Sequence, residues 1–411
     1  MKHVISVLIV SAVVSVVAFA APTVTVTSVV QDASFNRVRV SYALTEDAVV
    51  TWTVKTNSVA VDPQRTTRVW GDINRKIAVP GGTFEWAAAE ELADFFSPSA
   101  TIEVTLTAWP TNAPPDYMVV DCAGKSNVTY YVDAASVPLG VTNDLYKTTK
   151  MVMRKIPAVG VTWKMGSPSG ETGRDDTFER RHDVTLTEDY YIGIYPVTQD
   201  QYRSLAGGNA PCAFANLPNS GMRPVEKVTY YGLRGKGNGV CWAATNQSHR
   251  VSSTLLAMRN ATGIKFDFPT DAQWEYACRA GTSSAYNDGT SSMDAVGWNS
   301  SNWANDPACV SNETHVVGLL KPNAWGLYDM HGNIAEWVLD WHRAINNGAA
   351  ETDPAGGNSA NDDYHFMRGG YWNADAGKAR SAYHLGWGAF WDRNWTGFRV
   401  VAPAAGYWKH E

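Results

Sequence analysis

The chain has 411 residues, which is more than one hydrophobic core usually supports, so we expect two domains. Hydrophobic residues make up 45% and charged residues 18%, a balance typical of a globular protein rather than a disordered one. The formal net charge is -6 and basic residues form no stripe, which argues against a surface for nucleic-acid phosphates. We therefore expect no nucleic-acid partner.

Residues 1–20 are predicted to be a secretory signal peptide. Lys2 and His3 precede an apolar run from Val4 to Phe19, and Ala18-Phe19-Ala20 has the form of a cleavage site. A membrane anchor is the weaker interpretation, because the run is shorter than the ~20 apolar residues that span a bilayer. We expect a secreted, periplasmic or cell-surface protein without a transmembrane segment.

Residues 22–137 are predicted to form an all-β sandwich. Runs such as Arg37 to Tyr42 and Thr101 to Thr107 alternate apolar and polar residues, which is the period of half-buried strands. Tyr117 to Val120 and Val128 to Val132 are expected to close the sandwich. Several short strands at this spacing are similar to an immunoglobulin or fibronectin type III module. A spacer or adhesion role is the simplest expectation.

A linker is predicted over residues 138–150, a second domain over 151–403 and a tail over 404–411. The clearest element of the second domain is a helix with Thr270 as N-cap and Gln273 in the position of a capping box. Cys278 is expected on its apolar face as inert packing, and Gly281 is expected to end it.

The cysteine count leaves the disulfide pairing open. Five cysteines are present and no C-x-x-C spacing occurs, so at least one thiol is expected to be free in an oxidising compartment. They are Cys122, Cys212, Cys241, Cys278 and Cys309.

Seven motifs of the second domain occur in one order along the chain. They are Met165-Gly166-Ser167, Arg223-Pro224-Val225-Glu226, Pro269 to Ala277, Pro322 to Asn333, Glu336-Trp337, Arg368-Gly369-Gly370 and Gly397-Phe398-Arg399-Val400. In order and spacing they resemble the formylglycine-generating enzyme (sulfatase-modifying factor) family over about residues 146–403. The resemblance implies an α+β, C-type-lectin-like fold with little regular secondary structure.

The same resemblance implies two copper-binding cysteines that oxidise a cysteine of a sulfatase. Here Ala374 and Ala379 stand at the two positions, and Tyr371 replaces the serine of the family's Gly-Gly-Ser motif. Alanine has no ligand atom for Cu(I), so we expect neither copper nor the oxidation that depends on it. We also expect no catalytic iron, because the histidines of this domain lack the i, i+4 spacing of a helical metal pair.

A calcium site is implied by the resemblance in the loop from Asp329 to Glu336. The ligands would be the carboxylates of Asp329 and Glu336 and the backbone carbonyls of Gly332 and Ile334, which are hard oxygen donors of the kind that Ca²⁺ prefers. The alternative is that the two carboxylates only cap backbone amides.

The region that bears the family's active-site groove is rich in aromatic residues, amides and charges. Such side chains suit binding of a glycan, peptide or protein ligand, although any single tryptophan could instead be core. The candidate residues are Tyr371, Trp372, Asn373, Asp375, His384, Trp387, Phe390, Trp391, Asp392, Arg393, Asn394 and Trp395. We favour a non-catalytic binding protein. The alternative is a family oxidoreductase, formylglycine-generating or of the non-heme-iron type, with a different metal site and substrate.

Overall fold

The computed structural model describes residues 21–32, 37–92, 101–123, 128–235, 253–290, 292–307, 309, 312–342, 348–355 and 363–404. The predicted signal peptide, Cys241 and residues 405–411 of the predicted tail lie outside these ranges. Within them, no helix has both the length and the apolar character needed to cross a membrane.

The N-terminal region consists of two antiparallel sheets. Its elements are β1 (Val24–Asp32), β2 (Arg37–Leu44), β3 (Ala48–Thr56), β4 (Val59–Ala60), β5 (Val69–Gly71), β6 (Arg75–Ile77), β7 (Gly81–Trp86), the one-turn helix α1 (Ala88–Glu91) and β8 (Ile102–Pro110). One sheet has the order β1-β2-β7-β5, and the other has the order β4-β3-β6 with β8 also paired to β3.

The alternation read from the sequence sets the core of this region. Val38, Val40 and Tyr42 of β2 are buried while the residues between them are not, as a period of two requires. They join Val50 and Trp86 in one hydrophobic cluster. The likeness to immunoglobulin or fibronectin type III modules stays a prediction.

The second domain is mixed α/β, with mostly short strands and few helices. Its strands are β9 (Tyr117–Asp121), β10 (Val128–Tyr131), β11 (Lys150–Ile156), β12 (Val161–Met165), β13 (His182–Leu186), β14 (Tyr190–Gly193), β15 (Gly297–Trp298), β16 (His331–Gly332), β17 (Ala335–Trp341), β18 (Glu351–Thr352), β19 (Tyr364–Arg368), β20 (Leu385–Gly388), β21 (Thr396–Gly397) and β22 (Val401–Pro403). Its helices are α2 (Gln199–Ala206), α3 (Tyr230–Arg234), α4 (Thr254–Thr262) and α5 (Asp271–Arg279).

The strands β9 and β10 belong to this second domain. They form a five-stranded sheet of order β10-β9-β11-β14-β22, in which Met118 lies opposite Met153. The prediction that they close the N-terminal sandwich is wrong, because β9 pairs with β11, and Met118, Val120 and Tyr130 pack in a cluster made up mainly of residues of the second domain. The predicted linker lies inside this domain as well, and its Tyr146 is buried.

Three further sheets shape the rest of the domain, and the smallest is the parallel pair β15-β16. The strands β20-β19-β17-β21 form a four-stranded sheet that carries the Glu336 and Arg368 motifs, and β12-β13-β18 form a three-stranded one. Helix α5 has the predicted capping box, because the Thr270 hydroxyl accepts the Gln273 N–H (3.1 Å) and the Gln273 side chain accepts the Thr270 N–H (2.9 Å). The helix ends one residue earlier than expected, with Ala280 in the left-handed conformation.

Candidate functional site

The family motifs meet in a buried network of ion pairs around α5. Arg368 pairs with Asp271 (Nε–Oδ1 2.9 Å) and Glu275 (Nη2–Oε2 2.5 Å). Glu275 also accepts hydrogen bonds from the Gly166 N–H (2.8 Å) and from Arg279 Nε (2.8 Å). Burial by itself would raise the pKa of the Glu275 carboxyl, but the guanidinium groups of Arg279 and Arg368 hold that pKa below its ordinary value. These motifs therefore act as structural ties between elements.

Two of the predicted ligand-binding residues lie inside the protein. His384 is 8% exposed, and its Nε2 lies 2.7 Å from Oδ2 of Asp271 in the same network. Trp372 is 3% exposed, its indole N–H donates to the Asn394 carbonyl (3.3 Å), and its ring meets Phe214 at 6.1 Å. Both side chains are taken up by internal contacts, which corrects the expectation that they form part of a surface.

Glu336 of the predicted calcium loop belongs to a second buried ion pair. Arg399 donates from Nη2 to Oε1 (2.9 Å), and Trp274 donates its indole N–H to Oε2 (2.7 Å). Arg399 also donates to the carbonyls of Gly193 and Tyr328, at 2.8 Å each. Both carboxylate oxygens of Glu336 thus already accept hydrogen bonds.

The other predicted calcium ligands lie in the same segment. Asp329 is buried, accepts the Gly318 N–H at Oδ2 (2.7 Å), and has a pKa that burial raises to about 6. The Gly332 carbonyl accepts the Ile334 N–H (2.7 Å). The oxygen donors suit Ca²⁺ in kind, but the contacts of Glu336 and Gly332 would have to be shared with the ion. The calcium site stays a prediction.

The positions of the family's catalytic cysteines are filled by buried methyl groups. The Ala374 carbonyl accepts the Ser300 N–H (3.0 Å), and the Ala379 carbonyl lies 2.7 Å from Nδ1 of His331. A Cβ on Gly370 would lie 2.7 Å from the Cβ of Ala379, so the chain is closely packed there. Neither alanine can ligate copper, and the residues therefore do not fit the ion that the family implies. Within the described ranges, no three His, Cys, Asp or Glu side chains are grouped to hold a metal.

Cys278 lies beside this position and is an inert thiol, as predicted. Its Sγ lies 3.7 Å from both His331 Nε2 and Ser381 Oγ, but burial raises the pKa of the thiol to about 12. Burial lowers the pKa of His331 to about 4, and its Nε2 already accepts the Asn287 N–H (3.0 Å). The pair is therefore not a nucleophile with its base. The four described cysteines form no disulfide with one another.

The histidines considered for iron are held by separate neighbours. His315 stacks on Trp298 with ring centroids 4.0 Å apart, and His365 stacks on Tyr230 at 3.5 Å. Burial lowers the pKa of both, and that of His365 falls to about 3. These two rings thus serve as neutral parts of the core. The expectation that the domain holds no iron stays a prediction.

Six aromatic side chains around β20 form a cluster that reaches the surface. Tyr371 and Trp395 stack at 4.3 Å and 13°, while Trp387 meets Trp395 at 4.7 Å and Trp391 at 5.3 Å, edge to face. Phe390, 55% exposed, and Tyr364, 37% exposed, both contact Trp391. We refer to Tyr364, Tyr371, Trp387, Phe390, Trp391 and Trp395 as the aromatic platform.

Local sequence explains how the platform is built and why one member was missed. A Cβ on Gly388 would lie 2.8 Å from the Trp391 ring, so glycine lets that ring lie against the strand. Tyr364 joins from β19, where it pairs with Gly388. Sequence reasoning did not select Tyr364, since its partner is 24 positions away and only the strand pairing brings the two together. The remaining predicted residues, Asn373, Asp375, Asp392, Arg393 and Asn394, lie in the segments that also carry Tyr371 and Trp395.

Two hydrogen-bond donors of the aromatic platform have no partner among the described residues. Among the residues that the structure describes, the indole N–H groups of Trp391 and Trp395 have no hydrogen-bond acceptor, and neither is buried. The indole N–H of Trp387, by contrast, donates to the Trp391 carbonyl (3.3 Å). Asn373, two positions after Tyr371, is exposed. Ring faces with open donors at their edges can contact a ligand that is both apolar on one face and rich in hydroxyl groups.

Comparison with known proteins agrees with these motifs. The sequence matches the family described as "Sulfatase-modifying factor enzyme 1-like domain" over residues 147–404, and the chain belongs to that family. It is similar to the chaperone protein LppX of Paenibacillus barcinonensis, with 33% identity over 190 residues that cover 39% of this chain and 64% of the relative. It is also similar to the formylglycine-generating enzyme of Mus musculus, with 32% identity over 102 residues that cover 23% of this chain and 27% of the enzyme.

Two solved structures are similar to part of the chain. Treponema denticola variable protein 1 is 26% identical, with a TM-score of 0.47 over 62% of this chain and 96% of that one. PvdO from Pseudomonas aeruginosa is 25% identical, with a TM-score of 0.49 over 61% of this chain and 94% of that one. The chain spans less than two thirds of the length of the sequence relatives LppX and the mouse enzyme.

Proposed function

We propose that the second domain is a binding domain without the family's copper-dependent oxidation, and that the aromatic platform binds a glycan. The observation that carries this proposal is the cluster of surface aromatic rings whose Trp391 and Trp395 N–H groups have no acceptor among the described residues. Sugar rings have apolar faces that pack on aromatic rings and hydroxyl groups that accept such hydrogen bonds. The loss of both copper ligands at Ala374 and Ala379 supports a non-catalytic role.

We further propose that the protein works outside the cytoplasm. The predicted signal peptide supports export, and the N-terminal sheets would then carry the binding domain as a spacer. Similarity to a protein named a chaperone supports a binding role and makes a peptide or protein ligand the second candidate.

A glycan array probed with the full chain tests the proposal. Trp387→Ala and Trp391→Ala should each weaken binding of the selected glycan by at least about fivefold, because a buried aromatic contact contributes about 1 kcal/mol or more. Trp70→Ala is the matched control, since Trp70 is an exposed tryptophan of β5, away from the platform. Binding that is unchanged in both platform variants would reject the platform as the site, and a peptide array then examines the second candidate.

The alternative function is that of a family oxidoreductase. It is considered because the chain is 32% identical to a formylglycine-generating enzyme over part of its length. Purified protein should contain no stoichiometric copper or iron and should consume no oxygen with a Cys-x-Pro-x-Arg peptide. Stoichiometric redox metal, or formylglycine formed above the blank, would reject the non-catalytic proposal.

A further inference from the structure

The arginine beside the platform has no acidic partner among the residues that the structure describes. Arg393 lies over the Trp387 ring, with its guanidinium carbon 5.5 Å from the ring centre, and its Nη1 donates to the Asp392 carbonyl (2.7 Å). No carboxylate among the described residues lies within ion-pair distance of it. The adjacent Asp392 side chain instead approaches Lys227, with Oδ2 3.8 Å from Nζ.

Most arginines of the second domain are neutralised, which sets Arg393 apart. Those with a carboxylate partner are Arg154, Arg174, Arg203, Arg223, Arg234, Arg259, Arg279, Arg368, Arg380 and Arg399. Arg180 and Arg181 also have no such partner in the described residues, but they lie in the segment before β13. Within the part of the chain that the structure describes, Arg393 is thus an unpaired cation on an aromatic surface.

The open edge of Arg393 has the geometry of a carboxylate receptor. The N–H groups of Nε and Nη2 lie along one edge of the planar guanidinium and point in the same direction. They donate to no acceptor among the described residues, and neither nitrogen is buried. Arg234 uses these same two atoms to hold Asp267, at 3.0 and 3.3 Å. A guanidinium binds a carboxylate through two parallel hydrogen bonds, and stacking on a ring restricts its orientation in advance.

We propose that the platform selects a glycan that carries a carboxylate, such as a uronic or sialic acid. The carboxylate would occupy the Nε and Nη2 edge of Arg393 while the sugar ring packs on the neighbouring aromatic faces. This inference rests on the proposed glycan-binding function. The chain's net charge of -6 gives acidic ligands no general attraction, so selection must come from this local cation. The open indole donors favour a saccharide over an acidic peptide.

Calorimetric titration of the full chain tests the proposal with probes that differ only in charge. The probes are oligogalacturonate and its methyl ester, and 3′-sialyllactose and its methyl ester. Within the pair that binds, the acid should bind at least about tenfold more tightly than its neutral counterpart, with a difference that shrinks as salt increases. Arg393→Gln should lower the affinity for the acid to that of the neutral probe and leave the neutral probe unaffected.

Two further variants separate a specific role from a structural one. Arg393→Lys should retain part of the preference, because it keeps the charge but not the two-pronged geometry. Arg181→Gln, an equal change of charge at an exposed arginine, should change neither affinity. Equal binding of acid and neutral probe by the wild type overturns this inference but not glycan binding. Acidic peptides that bind through Arg393 while no glycan binds overturn both, as does a failure of every probe and array glycan to bind.

Discussion

The assignment of β9 and β10 to the second domain predicts where the chain can be divided. A fragment of residues 113–404 keeps both strands, whereas a fragment of residues 138–404 removes them and still contains every family motif. We expect the first fragment to fold and the second to lack a stable structure. The missing strands supply part of the core, and β9 is the strand that pairs with one side of β11.

The size of the effect follows from what the two strands bury. Tyr117, Met118, Val119, Val120 and Tyr130 are each at most 9% exposed. At about 1.5–3 kcal/mol for each large apolar side chain, their burial contributes on the order of 10 kcal/mol. The free energy of unfolding of such a domain is roughly 5–15 kcal/mol, so the deletion removes most of it.

Near-ultraviolet circular dichroism and thermal unfolding of the two fragments measure this difference. The longer fragment should show packed aromatic signals and a cooperative transition, and the shorter one neither. Residues 21–112 are the control and should unfold cooperatively alone, since one hydrophobic cluster lies entirely within them. Equal melting temperatures for 113–404 and 138–404 would refute the assignment of these strands to the domain's core.

Three further predictions concern buried charges and the calcium loop. Arg399→Met leaves the Glu336 carboxylate without its cation and should cost about 3–5 kcal/mol in urea unfolding. In the folded protein His365 has a pKa of about 3, below the ordinary value, so on lowering the pH the unfolded chain takes up this proton before the folded chain does. The free energy of unfolding therefore falls as the pH drops, by about 2 kcal/mol between pH 7.5 and 5. His365→Phe should abolish this contribution to the pH dependence. If calcium binds at Asp329 and Glu336 as predicted, excess EDTA should lower the melting temperature, and Asp329→Asn should remove this response.

Each of these has a result that contradicts it. For the ion pair, Arg399→Met combined with Glu336→Gln should cost less than the sum of the single changes, and strict additivity would mean that the two groups do not interact. For His365, equal pH dependence in wild type and variant would show that another group dominates. For calcium, a melting temperature that EDTA leaves unchanged would mean that the Asp329 loop is held by its protein contacts alone.

Local structure and family membership could be read from the sequence because their causes are local. The capping box of α5 needs only Thr270 and Gln273 three positions apart, and the buried face of β2 follows from its alternation. The absence of copper ligands at Ala374 and Ala379 is a matter of residue chemistry, which no packing arrangement changes.

Tertiary structure alone decided which strands and aromatic residues belong together. The short apolar run of β9 is equally compatible with either domain, and its pairing with β11 depends on contacts that no local pattern encodes. In the aromatic C-terminal segment, Trp372 and His384 are buried while Trp387 and Trp391 reach the surface. Composition cannot distinguish the buried rings from the exposed ones, because burial depends on what the folded chain places beside each ring. His384 lies beside Asp271, whereas the Trp391 N–H faces solvent.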